Sequence, residues 1–438
     1  MKTLNPLTGQ PQKVFFSYLI PAVSASLVTS IYILADTILI GKGIGHTAVA
    51  ALNIVLPLFN LLFATSSLFG IGGSVLMSTA FGRQDKKQGE LYFTASCLLN
   101  LTFIIFYFLT AFFYFENIAY FMGATEQTIS YVLDYGYYIT LGIPFFMLSN
   151  QLQTFIRNDK SPRLAMTAVI AGGLTNILLD YIFVFPLHMA MKGAALASIL
   201  GVILTCVILL YHFSSPTNNL RFNFSGLKPA LAWQIIKNGL SSFFIESSSG
   251  LVIFVFNLQL LKYIGEIGIT IYGIVSNTTF VVSSLSNGIA QATQPIISLN
   301  FGAGKKDRIA SVKRLGIISA LTVGSLISFF GLAFPLTIIK LFINPTQEIL
   351  NLAPLAIQIY FCSFLGMALN IFYTDYFQAV LKPHFALTVC LLRGLVCSIS
   401  FVYLLPIFWG VNGIWLTMPL SELLTLITAI SLSRAIKN

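Results

Sequence analysis

Five acidic side chains stand inside long apolar runs of this sequence: Asp36, Asp180, Glu246, Asp375 and Glu422. An ionisable group in hydrocarbon costs about 3 kcal/mol or more, so each one calls for a mobile cation, a proton or a basic partner. Asn176 precedes Asp180 by one helical turn on the same face, and Ser198 stands in the next apolar run. If these runs are helices, a rise of about 1.5 Å per residue places Asp36, Asp180 and Ser198 roughly 8 to 10 Å below one membrane boundary, with Asn176 one turn deeper. Two carboxylates, an amide and a hydroxyl from three helices suit a small hard cation. The same two carboxylates suit a shared proton. Asn176 and Ser198 taken singly also read as interhelical hydrogen-bonding residues.

Glu246 lies near the middle of its run and is followed by Ser247, Ser248 and Ser249, a pattern that suits a cavity wall. Arg393 is the one basic residue inside an apolar run, and either Asp375 or Glu422 would serve as its partner in a buried, packing ion pair. Asp134 and Tyr135 open the fourth run, where their types alone suggest an interfacial position. Pro21 interrupts the first run about fifteen residues before Asp36, which reads as a hinge or a fixed kink. Cys97, Cys206, Cys362, Cys390 and Cys397 all fall in apolar runs without metal or disulfide spacing and read as small buried hydrophobes. His46, His188, His212 and His384 are scattered at run ends, and no metal pair or nucleophile constellation appears, so neither an enzyme nor a cofactor is expected.

The elements that hold these residues follow from composition. The chain has 438 residues, 56% hydrophobic and 9% charged, with a mean hydropathy of +0.86. Soluble domains do not reach such values. In lipid every backbone polar group must be paired internally, and the runs do not alternate as barrel strands do, so an all-α polytopic membrane protein is expected. Runs near 14–40, 50–80, 92–115, 131–156, 164–187 and 193–213 form one set. After a polar stretch come 233–262, 268–299, 313–343, 351–380, 384–408 and 411–433. Twelve transmembrane helices are expected, in two six-helix bundles at 1–213 and 233–438 joined by a cytoplasmic linker at 214–232.

With the N-terminus in the cytoplasm, 19 of the 24 Lys and Arg fall on the inner side, from Lys2 to Lys437 and including Arg157, while Lys42, Lys192, Lys262 and Lys340 fall outside. That asymmetry places both termini in the cytoplasm. It also accounts for the net charge of +10 without nucleic acid. The halves repeat at an offset of about 220 residues, with Phe81-Gly82 recurring as Phe301-Gly302 and Pro186 and Gly193 as Pro406 and Gly413. Six spans per half enter from the same side, so a pseudo-twofold axis along the membrane normal relates the bundles around a central cleft.

Ala35-Asp36-Thr37 with Gly41, the segment from Asn176 to Phe183 containing Asp180, Lys192-Gly193-Ala194-Ala195, and Gln294-Pro295-Ile296-Ile297 with Phe301-Gly302 together resemble the multidrug and toxic compound extrusion (MATE) family, in its bacterial multidrug exporter branch. The resemblance spans the whole chain. It implies secondary active export of cationic or amphipathic drugs by alternating access, in antiport with Na+ or H+, by a monomer in the bacterial inner membrane. It further implies cation binding at Asp36, Asn176, Asp180 and Ser198, with Ser in place of the more familiar Thr. Tyr135 would join that network, Pro21 would mark the bend of the first helix, and Glu246 resembles a second-bundle carboxylate of some members. The helix-ten acid of another branch falls near Ala368 here. A lipid or polysaccharide-precursor flippase of the same superfamily is the alternative, but such relatives carry several cleft cations and this chain offers Arg393 alone.

Overall fold

The computed structural model describes residues 4–343 and 345–436, without the side chain of Ser249. Lys2, Lys437 and the Ser249 side chain lie outside the described residues. Within them the regular elements are helices: α1 (Pro11–Gly43), α2 (His46–Gly82), α3 (Lys86–Phe121), α4 (Ile129–Asn158), α5 (Pro162–Val184), α6 (Ala190–Leu210), α7 (Pro229–Gly302), α8 (Lys306–Ala333), α9 (Pro335–Phe342), α10 (Gln347–Phe361), α11 (Ser363–Ala379), α12 (Pro383–Leu391), α13 (Cys397–Trp409) and α14 (Val411–Ala435). Proline opens α1, α5, α7, α9 and α12, where its missing N–H has no helical partner to lose.

Ten segments are long and apolar enough to cross a membrane. The 30-residue α4 is a further crossing, and α7 supplies two, because its 74 residues break at Gly265, where φ is 67° and ψ −154°. Twelve crossings result. The run at 313–343 divides into α8 and α9, and that at 351–380 into α10 and α11. The run at 384–408 becomes α12, a π-helical turn at Leu392–Val396, and α13.

The repeat is written into the turns. Left-handed backbone occurs at Gly45 and Gly265, at Gln84 and Gly304, and at Ala190 and Gly410, pairs that are each 220 residues apart. Lys160 and Leu381 make a fourth pair at 221. In three of these four pairs at least one member is glycine, which alone adopts positive φ without steric cost.

α1 belongs to both bundles. Val14, Phe15, Tyr18 and Ala22 lie in a core with Ile289, Ile296, Phe372 and Phe377 of the second half, whereas Ile40 joins the core built by α2 to α6. Glycines permit the cross-bundle approach: a Cβ on Gly239 of α7 would stand 1.9 Å from the Leu68 carbonyl oxygen of α2, and one on Gly288 would stand 2.8 Å from the Val23 Cα of α1. Hydrogen bonds join the bundles from Ser30 to Ser284 (2.6 Å) and from Tyr92 to Gln234 (2.6 Å). Ahead of α1, Arg308 donates to the carbonyls of Pro6 (2.8 Å) and Gly9 (2.6 Å), and Lys305 donates to that of Leu7 (2.9 Å). The N-terminal segment is thereby strapped to the second bundle.

Two placements, those of Arg157 and of the cysteines, differ from expectation. Arg157, counted as a loop cation, is buried at the end of α4 and donates across the bundles to Gln291 (2.7 Å), with Asp375 as its nearby charge. His212 stands at the end of α6, as expected, where it bonds Asp159 at 2.8 Å, and Asp159 also accepts from the backbone and side chain of Asn219. Among the cysteines, Cys206, Cys390 and Cys397 are buried, but Cys362 is exposed and Cys97 half-buried.

Candidate functional site

The site begins with small residues. A Cβ on Gly172 of α5 would stand 2.6 Å from the Gly201 carbonyl oxygen of α6, and one on Gly201 would stand 2.7 Å from that of Gly172. One turn on from this crossing, Asn176 faces α6 and its Nδ2 donates to Ser198 Oγ at 3.2 Å. Gly173 opens the other face of α5: a Cβ there would stand 3.0 Å from the Tyr32 ring of α1. Tyr32 is one turn before Asp36. Two adjacent glycines, about 100° apart around the helix, therefore draw α6 and α1 against two different flanks of α5. Gly43 repeats the device at the end of α1, where a Cβ would stand 2.3 Å from Val184 Cγ1.

The result brings Asp36, Asn176, Asp180 and Ser198 together. The carboxyl groups of Asp36 and Asp180 are close neighbours and the Asn176 side chain stands beside that of Asp180, but among the described residues no hydrogen bond closes on the Asp180 oxygens. Tyr135 of α4 completes the group. Its hydroxyl contacts Ser198, and its ring is 2% exposed against Phe59. Tyr135 is thus not interfacial, whereas its neighbour Asp134 is, pairing with Lys192 at the surface (3.4 Å).

Charge balance determines what this arrangement can do. Asp180 is 0% exposed, and neither of its carboxyl oxygens has a hydrogen-bond donor. Asp36 Oδ1 and Asn176 Oδ1 are equally orphaned. Buried acceptors are normally satisfied, and two carboxylates side by side repel. A cation held by these oxygens, or a proton placed between the two carboxyls, answers both deficits. Among the described residues no lysine or arginine forms an ion pair with either carboxyl, in contrast to Glu422, which Arg393 meets at 2.6 Å.

The remaining expected residues stand elsewhere. Glu246 is half-buried in the first part of α7, far along the chain from the cluster and in the other bundle. Pro21 is buried within α1, which continues through it as helix. Arg393 selects Glu422, and Asp375 faces Arg157 instead. Tyr32 and the glycine frame were not singled out from sequence; the four-residue spacing of Tyr32 and Asp36 and the Gly172-Gly173 pair were the available signals.

A family model described as MatE matches residues 21–182 and 240–404. The chain is 25% identical over 428 residues to the multidrug export protein MepA of Staphylococcus haemolyticus, covering 97% of this chain and 94% of that protein. Among solved structures it is similar to an outward-facing conformation of a multidrug resistance MATE family transporter of the MOP superfamily, with a TM-score of 0.91, 21% identity and coverage of 99% and 98% of the two chains. A MATE protein crystallised in a bent conformation superimposes with a TM-score of 0.90 at 21% identity, covering 99% of this chain and 97% of that one.

Proposed function

The chain belongs to the MatE family, and on that premise we propose that it is a secondary active exporter of cationic or amphipathic drugs, driven by antiport of Na+ or H+ at Asp36 and Asp180. The observation that carries this reading is the closeness of two carboxyls, the buried Asp180 and the half-buried Asp36, with both Asp180 oxygens and Asp36 Oδ1 lacking a donor. In this reading Asn176 and Ser198 complete the cation's oxygen shell, and Tyr135 positions Ser198. Glu246 contributes a carboxylate toward the substrate path. The chain acts as a monomer in the bacterial cytoplasmic membrane with both termini inside, and residues 214–232 link two lobes at 1–213 and 233–438.

The mechanism follows from linkage. A cation that prefers one arrangement of the bundles shifts the equilibrium toward it by its differential affinity. α1 carries Asp36 near one end and packs in the second bundle's core near the other, so ion occupancy and the relation of the bundles act on one helix. Pro21 weakens that helix by one backbone hydrogen bond and is the proposed place of bending. Export is favoured over flipping of a pyrophosphate-bearing lipid because the charge of Arg393 is already met by Glu422.

The test is uptake of a fluorescent organic cation into liposomes that carry the purified protein, driven by an imposed Na+ or proton gradient. Asp180→Asn should abolish the gradient response while the protein remains folded. Full coupling retained in that variant would overturn the reading.

A further inference from the structure

At the 220-residue offset, Asp36, Asn176, Asp180 and Ser198 correspond to Phe256, Val396, Ser400 and Met418. The second bundle therefore carries no carboxylate where the first has two. Phe256 is instead fully buried, with its ring stacked on Tyr272 at 5.1 Å. One helical turn closer to the side of the chain termini, on the same helix faces, stand Arg393, three residues before Val396, and Glu422, four residues after Met418.

Arg393 Nε donates to Glu422 Oε1 at 2.6 Å, and Asn370 Nδ2 donates to Glu422 Oε2 at 2.7 Å and to its main-chain oxygen at 2.9 Å. Glu422 is 1% exposed. Arg393 lies in the π-helical turn, whose widened backbone leaves its carbonyl to accept from Ser398 Oγ at 2.5 Å. Asn370 Oδ1, Ser421 Oγ and Thr425 Oγ1, on the two helices that meet at Glu422, are buried without hydrogen-bond partners. The helices touch there, since a Cβ on Gly366 of α11 would stand 2.9 Å from Glu422 Cβ. The carboxylate thus has one guanidinium as its cation, and three buried oxygens without partners stand on the two helices that meet at it.

We infer that Arg393 is a resident counter-cation, holding from within the chain the place beside Glu422 that a mobile Na+ or proton would otherwise take, so that Glu422, Asn370, Ser421 and Thr425 form a latent cation site. The comparison with the first bundle rests on the proposed ion binding at Asp36 and Asp180, but the latent site itself does not. The π turn delivers a side chain long enough to reach Glu422 from a neighbouring helix. The second bundle consequently takes up no ion during transport.

The experiment is calorimetric titration of detergent-purified protein with NaCl, against KCl at matched ionic strength and at two pH values, to count Na+- or proton-linked events. Arg393→Met should show one event more than the parent chain, and Arg393→Met with Glu422→Gln should lose it. Arg393→Met placed on Asp180→Asn should keep the added event, which separates the latent site from the first-bundle site even if the parent chain binds no ion. Should Arg393→Met fail to fold, recovery of folding by the added Glu422→Gln supports the inference, because the defect is then the uncompensated charge. A folded Arg393→Met with no added event, or misfolding that Glu422→Gln does not repair, overturns it.

Discussion

Gly82 of α2 and Gly302 of α7 meet backbone to backbone: a Cβ on the first would lie 2.1 Å from the Leu299 carbonyl oxygen, and one on the second 2.0 Å from that of Thr79. The two residues are repeat partners, so the pseudo-twofold axis passes between them. Replacing either by Ala forces the helices apart at a point where both bundles present the same surface. Overpacking of this kind costs about 1–3 kcal/mol. We expect a lower Tm in detergent for Gly82→Ala and Gly302→Ala, and none for Gly250→Ala, where nothing lies within 4 Å of the added carbon.

Asp36→Asn and Asp180→Asn each remove one charge of the pair while keeping the shape. Either should reduce gradient-driven transport by at least about tenfold, the span of a coupling free energy near 1.4 kcal/mol. The measurement is initial uptake rate in liposomes with and without the ion gradient. Asp134→Asn, at the exposed pair with Lys192, should leave the rate unchanged.

Ser198 accepts from Asn176 at 3.2 Å and contacts the Tyr135 hydroxyl. Ser198→Ala removes one oxygen from the cluster and should weaken ion binding about two- to tenfold, as expected for one hydrogen-bonding group worth about 0.5–1.5 kcal/mol. Ser198→Thr keeps the hydroxyl and should retain affinity. Calorimetric ion titration of the two variants distinguishes them.

Arg308 fastens the segment ahead of α1 through Pro6 and Gly9, and also donates to Asn300 Oδ1 at 3.2 Å. Charge-assisted bonds of this kind are worth about 1.5–3 kcal/mol each when buried and less where water competes. Arg308→Ala should free residues 4–10, read as faster amide exchange there and earlier cleavage by protease, with smaller effects around Asp36.

The sequence made depth readable but not direction around each helix. Counting residues from the ends of apolar runs placed Asp36, Asp180 and Ser198 at one level, and the structure unites them. The same counting put Arg157 in a loop, because its position at the end of α4 says nothing about the α7 surface that covers it. Arg393 had two possible partners for the same reason: the choice of Glu422 over Asp375 depends on helix rotation and on the π turn, which has no residue signature here. Tyr135 was ambiguous beside Asp134 because adjacent helical residues point about 100° apart, one to the surface and one inward. The repeat was legible from Gly and Pro landmarks. Its fourfold recurrence in left-handed turns, twice carried by Gln84 or Ala190 against a glycine partner, was hidden by unlike residues adopting like backbone.

A helix clamped in two cores cannot ride with either. The first turns of α1 are set among Ile289, Ile296, Phe372 and Phe377, and its far end at Ile40 is set among α2 to α6. Any rotation of one half against the other must be taken up as curvature or twist in α1 between these anchors, from the bend proposed at Pro21 through Ser26 to Leu39, where most side chains are only partly covered. Asp36 lies on that length. In the proposed mechanism an ion or proton arriving at its carboxyl acts between the two clamps, on the stretch through which one half must pull on the other.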